Sequence, residues 1–235
     1  MTDRMETAMP PFAQTRVFVF DAYGTLFDFA SAARRCTDRL GDQAEALTQL
    51  WRTKQVEYTW LRSLMGQHAD FWQVTGEALD NAMATLGLTD ATLRDRLMAL
   101  YLELEPFADA RALLTALRAD GRQTAILSNG APGMLRSLVE AAGFADLFDD
   151  VLSIEAAGIF KPHPSTYRLA TTRFGCEPQG IAFVSANSWD SCGAATFGFR
   201  GIWVNRTGGP KEAVPGTSER EIRALAEIAP LAGLA

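Results

Sequence analysis

Four short polar clusters hold the side chains that could do chemistry: Asp21-Ala22-Tyr23-Gly24-Thr25, Ser128-Asn129-Gly130, Lys161-Pro162 and Ser185-Ala186-Asn187-Ser188-Trp189-Asp190. The first follows Val17-Phe18-Val19-Phe20, an apolar run that reads as a short buried strand. A carboxylate at the carboxyl end of such a strand stands where open α/β sheets place their ligands. Asp21 is therefore either a nucleophile or base at the mouth of a site, or an Asp that caps the next loop. Each other cluster alone is ordinary, since Ser-Asn-Gly is turn chemistry and Lys-Pro suits a surface loop. Together they carry weight, because the strand ends of a parallel sheet share one edge and the clusters should converge there.

The elements that must position them follow from hydrophobic period and punctuation. Residues 30–107 carry helical spacing, with Leu47, Leu50, Trp51, Tyr58, Leu61 and Met65 on one stripe, a second segment from Glu77 to Leu86 and a third from Thr92 to Leu104. From 108 onward strands and helices alternate. Strands are expected at 123–127, 151–153, 181–184 and 201–204, and helices at 110–117, 132–142, 164–174, 191–197 and 219–228. Alternation of this kind implies an α/β fold with a doubly wound parallel sheet covered on both faces. The expected organisation is a discontinuous core, 14–29 plus 108–235, a helical cap inserted at 30–107, and a flexible N-terminal tail at 1–13.

Composition removes some classes of function. The chain has 235 residues and a net charge of −6, which argues against a nucleic-acid partner because such binding needs clustered Lys and Arg. No apolar run reaches membrane-spanning length and no secretory signal opens the chain, so a cytoplasmic protein without a membrane partner is expected. Cys36, Cys176 and Cys192 are odd in number and widely spaced, and read as free thiols.

The clusters, in this order on this framework, resemble the haloacid dehalogenase superfamily, and most closely its L-2-haloacid dehalogenases. The matching stretches are Asp21-Ala-Tyr-Gly-Thr-Leu-Phe-Asp28, Leu127-Ser-Asn-Gly130, Phe160-Lys-Pro162 with Tyr167, and Phe183-Val-Ser-Ala-Asn-Ser-Trp-Asp190. In the helical region Leu50-Trp-Arg-Thr-Lys-Gln55 and Glu57-Tyr-Thr-Trp-Leu-Arg-Ser-Leu-Met65 are similar too. The resemblance implies a Rossmann-like core and hydrolysis of short L-2-haloacids to D-2-hydroxyacids through an ester on Asp21. The alternative is another hydrolase of the superfamily, a phosphatase or phosphonatase.

Two departures from the phosphatase pattern favour the first. Phosphatases carry a second Asp two residues after the nucleophile to protonate an alkoxide, and here that residue is Tyr23. A halide leaves without a proton. The turn that helps phosphatases hold Mg²⁺ reads Ser185-Ala186-Asn187, with only Asp190 left as a carboxylate, so no metal and no cofactor are expected. A phosphonatase would use a cap lysine as a Schiff base, and Lys54 is the only lysine there.

By the same resemblance the partners are a small-molecule 2-haloacid and water, with a homodimer through the apolar cap helices allowed. Lys161 and Thr25 hold the Asp21 carboxylate, and Ser128 with the N–H groups near Asn129 binds the substrate carboxylate, assisted by Ala22 and Tyr23 from the first loop. Arg52, with Asn129, receives the halide. Ser185, Asn187 and Asp190 form the hydrolytic set, with Asp190 activating water, and Tyr167 closes the site near Asp21. Val56, Phe71 and Trp189 are the pocket candidates. His68 and His163 fall outside the motif positions, with His163 near enough to Lys161 for an indirect role.

Overall fold

The computed structural model describes residues 9–234. Its centre is β1 (Val17–Phe20), whose four residues are all buried. Apolar residues without alternation are what a strand covered on both faces requires. β1 lies between β2 (Gln123–Ser128) and β4 (Ile181–Ser185), with β3 (Asp150–Ser153), β5 (Arg200–Val204) and β6 (Arg220–Ile222) completing an all-parallel sheet of order β3-β2-β1-β4-β5-β6. The chain leaves β1 toward β2 on one side and toward β4 on the other. That reversal opens a crevice at the strand carboxyl ends. Register places Phe20 opposite Ile126 and Val184, so the residues just beyond, Asp21, Leu127 and Ser185, sit on one level.

Between β1 and β2 the chain is helical: α1 (Ser31–Arg34), α2 (Thr37–Leu40), α3 (Ala44–Met65), α4 (Phe71–Thr85), α5 (Ala91–Tyr101) and α6 (Ala110–Ala119). α4 begins six residues before the expected Glu77 because Asp70 caps it, its side chain accepting from the Gln73 N–H at 2.8 Å. The amino-terminal part of α3 buries Leu47, Trp51, Gln55 and Thr59. Toward its end Leu61, Leu64 and Met65 are exposed, so the apolar stripe does not stay inside along its whole length.

α7 (Pro132–Ala141) and α8 (Pro164–Phe174) fall where the pattern places them, while α9 (Ser188–Phe197) begins three residues before the expected 191, its polar first turn carrying Asp190. Two expectations are corrected. Residues 219–228 do not form one helix: Arg220–Ile222 pairs with β5 as β6, and only α10 (Ile228–Leu231) is helical, after one 3-10 turn. The tail assignment fails for the part that is described, while residues 1–8 lie outside the described residues. Phe12 is fully buried, its N–H bonds the Leu231 carbonyl at 2.8 Å, and the Arg200 guanidinium lies 4.3 Å from its ring centroid.

Candidate active site

Asp21 is the first residue beyond β1. Its N–H still donates to Val184 O, which fixes the backbone, and the side chain is almost fully buried. Three side chains supply donors to the carboxylate. Lys161 Nζ lies 3.3 Å from Oδ1, while Thr25 Oγ1 at 3.3 Å and Asn187 Nδ2 at 2.8 Å both reach Oδ2. Thr25 is oriented in turn by the Ala186 N–H, 2.8 Å from its hydroxyl oxygen. Gly24, at φ +85°, makes the sharp turn that returns Thr25 to the carboxylate.

Lys161 is 1% exposed and spends its three donors on Asp21, on Asp190 Oδ2 at 2.9 Å and on Leu127 O at 2.6 Å. One buried cation thus bridges two carboxylates. The other oxygen of Asp190 accepts from the Tyr167 hydroxyl at 2.8 Å. Burial pushes the Asp190 carboxyl above the ordinary carboxylate range, with the Asp21 charge adding and the Lys161 charge opposing. Burial and the charge of Asp190 hold the Tyr167 phenol well above its usual range, so it stays a neutral donor.

Asn187 couples the two halves of the site. Besides Asp21, its Nδ2 donates to Tyr23 O at 3.3 Å, and its Oδ1 accepts from Arg52 Nη2 at 3.1 Å. Arg52 comes from α3, so the helical segment reaches the edge of the sheet. A cleft lined by Phe29, Asn187, Trp189 and Trp203 opens beside this contact.

Other candidates are placed as follows. Ser128 is buried and its Oγ accepts from the Gly130 N–H, leaving the hydroxyl proton to donate. Asn129 Oδ1 accepts from the Lys161 N–H at 3.1 Å; the bond of Arg52 is to Asn187, not to Asn129. Ser185 Oγ accepts from the Asn187 N–H at 3.1 Å, so it shapes the turn. Ala22 is buried and its carbonyl closes the loop by accepting from Leu26 and Phe27. Phe71 packs on Tyr23 with ring centroids 5.3 Å apart. Trp189 is half-buried and meets Trp60 edge-on at 5.3 Å, and Val56 is half-buried one turn after Arg52.

Tyr23 both packs and points a polar atom inward. Its ring stacks on Tyr101 at 5.4 Å, while its hydroxyl is buried with no hydrogen-bond partner among the described residues. A methyl group at Gly130 would stand 3.0 Å from that oxygen, so the hydroxyl reaches the Ser128–Gly130 loop. A buried hydroxyl left unpaired costs about 1–3 kcal/mol, which a bound anion would offset.

The histidines and Lys54 are elsewhere. His163 caps α8, its Nδ1 accepting from the Ser165 N–H, and His68 pairs with Glu155 at 2.8 Å. Lys54 pairs with Glu57 at 2.8 Å, and that bond raises its pKa, opposite to what a Schiff-base lysine needs. The site fits a divalent metal poorly, because the position between Asp21 and Asp190 is taken by an ammonium group. Two residues that the sequence did not mark as chemical join the site: Gln55 accepts from Arg52 Nη1 at 2.8 Å, and Tyr101 donates to Gln55 at 3.1 Å. The hints were that Gln55 ends the matching stretch Leu50–Gln55 and falls three residues after Arg52 on one helix face.

Residues 15–198 match the haloacid dehalogenase-like hydrolase family. The chain is 45% identical over 217 residues to (S)-2-haloacid dehalogenase 4A of Burkholderia cepacia, covering 92% of this chain and 94% of that protein. It is 48% identical over 186 residues to the (S)-2-haloacid dehalogenase of Xanthobacter autotrophicus, covering 78% of this chain and 72% of that one. The structure of the L-2-haloacid dehalogenase from Xanthobacter autotrophicus with chloropropionic acid covalently bound superposes with a TM-score of 0.85 at 39% identity, over 92% of this chain and 97% of that one. Among the described residues no helix is long and apolar enough to cross a membrane. The chain belongs to the haloacid dehalogenase-like hydrolases and, within them, to the (S)-2-haloacid dehalogenases.

Proposed function

We propose that the protein hydrolyses short (S)-2-haloacids to (R)-2-hydroxyacids and halide, with the helices of 30–107 acting as a cap over the sheet edge. The observation that carries this reading is the Asp21 carboxylate: buried, and among the described residues supplied with donors by Lys161, Thr25 and Asn187. Such a carboxylate is oriented and stripped of water, which suits attack on carbon.

In the first step an Asp21 oxygen forms a bond to C2 of the substrate, on the side opposite the halogen. The C–X electron pair leaves with the halide, and the centre inverts. Ser128, the Tyr23 hydroxyl and the amino-terminal end of α7 receive the substrate carboxylate. Arg52 receives the halide as its charge develops, so the interaction is strongest in the transition state. In the second step water attacks the ester carbonyl carbon and gives a proton to Asp190. Lys161 and Tyr167 occupy one lone pair on each Asp190 oxygen and leave one on each free. The Cγ–O bond then breaks and the alkoxide takes up a proton. The product hydroxyl oxygen therefore comes from Asp21.

The test is halide release from L- and D-2-chloropropionate in EDTA, beside phosphate release from p-nitrophenyl phosphate with Mg²⁺. Chloride from the L form alone, abolished by Asp21→Asn, is expected. Phosphate release without chloride release would assign the chain to the phosphatase branch.

A further inference from the structure

The geometry points to Gln55 as the residue that positions Arg52 for the departing halide, working as the hub of a network drawn from α3, α4 and α5. The role rests on the proposed reading of Arg52. An arginine on a helix flank has a long flexible side chain and ordinarily loses its rotamer order to water. Here both ends of the guanidinium are held, Nη2 by Asn187 Oδ1 at 3.1 Å and Nη1 by Gln55 Oε1 at 2.8 Å. The Gln55 contact lies within the helical segment, three residues along the same helix, so it can hold Arg52 in place before substrate arrives.

Gln55 itself is fixed. It is 1% exposed, and each of its amide atoms has a partner. Oε1 also accepts from the Tyr101 hydroxyl at 3.1 Å, and Nε2 donates to Thr75 Oγ1 at 2.8 Å. The Thr75 proton is committed to Phe71 O at 2.6 Å, so the threonine oxygen acts toward Gln55 as an acceptor. A flipped amide would set its N–H groups against the guanidinium N–H and its oxygen against an oxygen without a proton. The amide therefore has one orientation, and it presents an acceptor to Arg52. Burial keeps the Tyr101 phenol protonated, as its role as donor requires. The Tyr101 ring stacks on Tyr23 at 5.4 Å, which seats the network on the loop that carries Asp21.

The test uses Gln55→Met, Gln55→Met/Tyr101→Phe and Thr75→Val in the full chain. One readout needs no turnover: broadening of the chloride NMR line by the protein reports halide binding. The other is kcat and KM for L-2-chloro- and L-2-bromopropionate. For Gln55→Met, chloride binding weakens by about tenfold and kcat falls by about tenfold, with KM little changed and a larger loss for the chloro substrate. The double variant keeps this defect, because the acceptor for Arg52 is still missing although no Tyr101 hydroxyl is left unpaired. Thr75→Val shows the same split at smaller size, and it decides the matter if Gln55→Met does not fold. Recovery in the double variant, or parental chloride binding and kcat in Gln55→Met or Thr75→Val, would overturn the assignment. A parent protein that binds chloride yet releases no halide from either acid would instead overturn the proposed function and leave the chloride arm to judge Gln55.

Discussion

Replacing Lys161 by Met keeps most of the side chain's length and deletes its charge. In the parent, Nζ stands 3.3 Å from Asp21 Oδ1 and 2.9 Å from Asp190 Oδ2, with the lysine 1% exposed and Asp190 fully buried. The variant leaves two buried carboxylates without their shared cation. Breaking a buried ion pair in this way costs about 3–5 kcal/mol, which for a chain of this size lowers Tm by roughly 6–20 °C. The cost depends on pH, with a definite sign. Burial already holds the Asp190 carboxyl above its ordinary range, and the Lys161 charge is the main influence pulling it back. Without Lys161 the native state holds a proton on Asp190 over a wider pH interval than the unfolded chain does. Where the native state binds more protons, stability falls as pH rises. The Tm gap between parent and Lys161→Met is therefore smallest near the acid end of the native range and grows through neutral pH. Thermal melts across that range measure it, and halide release at neutral pH falls by roughly a thousandfold as Asp21 loses the cation that orients it. A Tm gap that is constant with pH, or that widens toward acid, would refute the bridging role.

Three further predictions are simpler. Tyr167→Phe removes the 2.8 Å bond to Asp190 Oδ1 and slows ester hydrolysis more than ester formation, so mass spectrometry should find Asp21 partly esterified during turnover. Prolonged dialysis against EDTA leaves halide release unchanged, since the cation at Asp21 is covalently part of the chain; loss restored by Mg²⁺ would contradict this. Phe12→Ala lowers stability by about 3–5 kcal/mol in urea melts, as for any fully buried aromatic, whereas no change would mean that this stretch frays.

Much of the site was legible because its residues interrupt apolar runs. Asp21, Ser128 and Ser185 each end a strand of Val, Phe, Ile or Leu, and a parallel sheet brings such ends together. What remained hidden depends on partners far away in the chain. Gln55 looks like any helix residue until Thr75, 20 residues on, and Tyr101, 46 residues on, close around it. Tyr23 reads equally as packing or as a ligand group, and its stacked ring and unpaired hydroxyl make it both. The stretch 219–228 has a helical composition, yet Arg220–Ile222 lies alongside the open edge of β5, and the sheet overrides the local preference. Phe12 sits among prolines and polar residues, and only the distant Leu231 and Arg200 reveal it as an anchor.

The bridging ammonium also sets the order of events. The negative charge of Asp21 is one of the influences that keep Asp190 hard to ionise. Esterification removes that charge. On the proposed mechanism Lys161 then has a single anion left to serve, and one of the influences that raise the Asp190 carboxyl is gone. The base proposed for the second reaction is thus favoured by completion of the proposed first one. In a protein that carries no ester that influence stays in place, so the proposed order of the two reactions rests on three side chains.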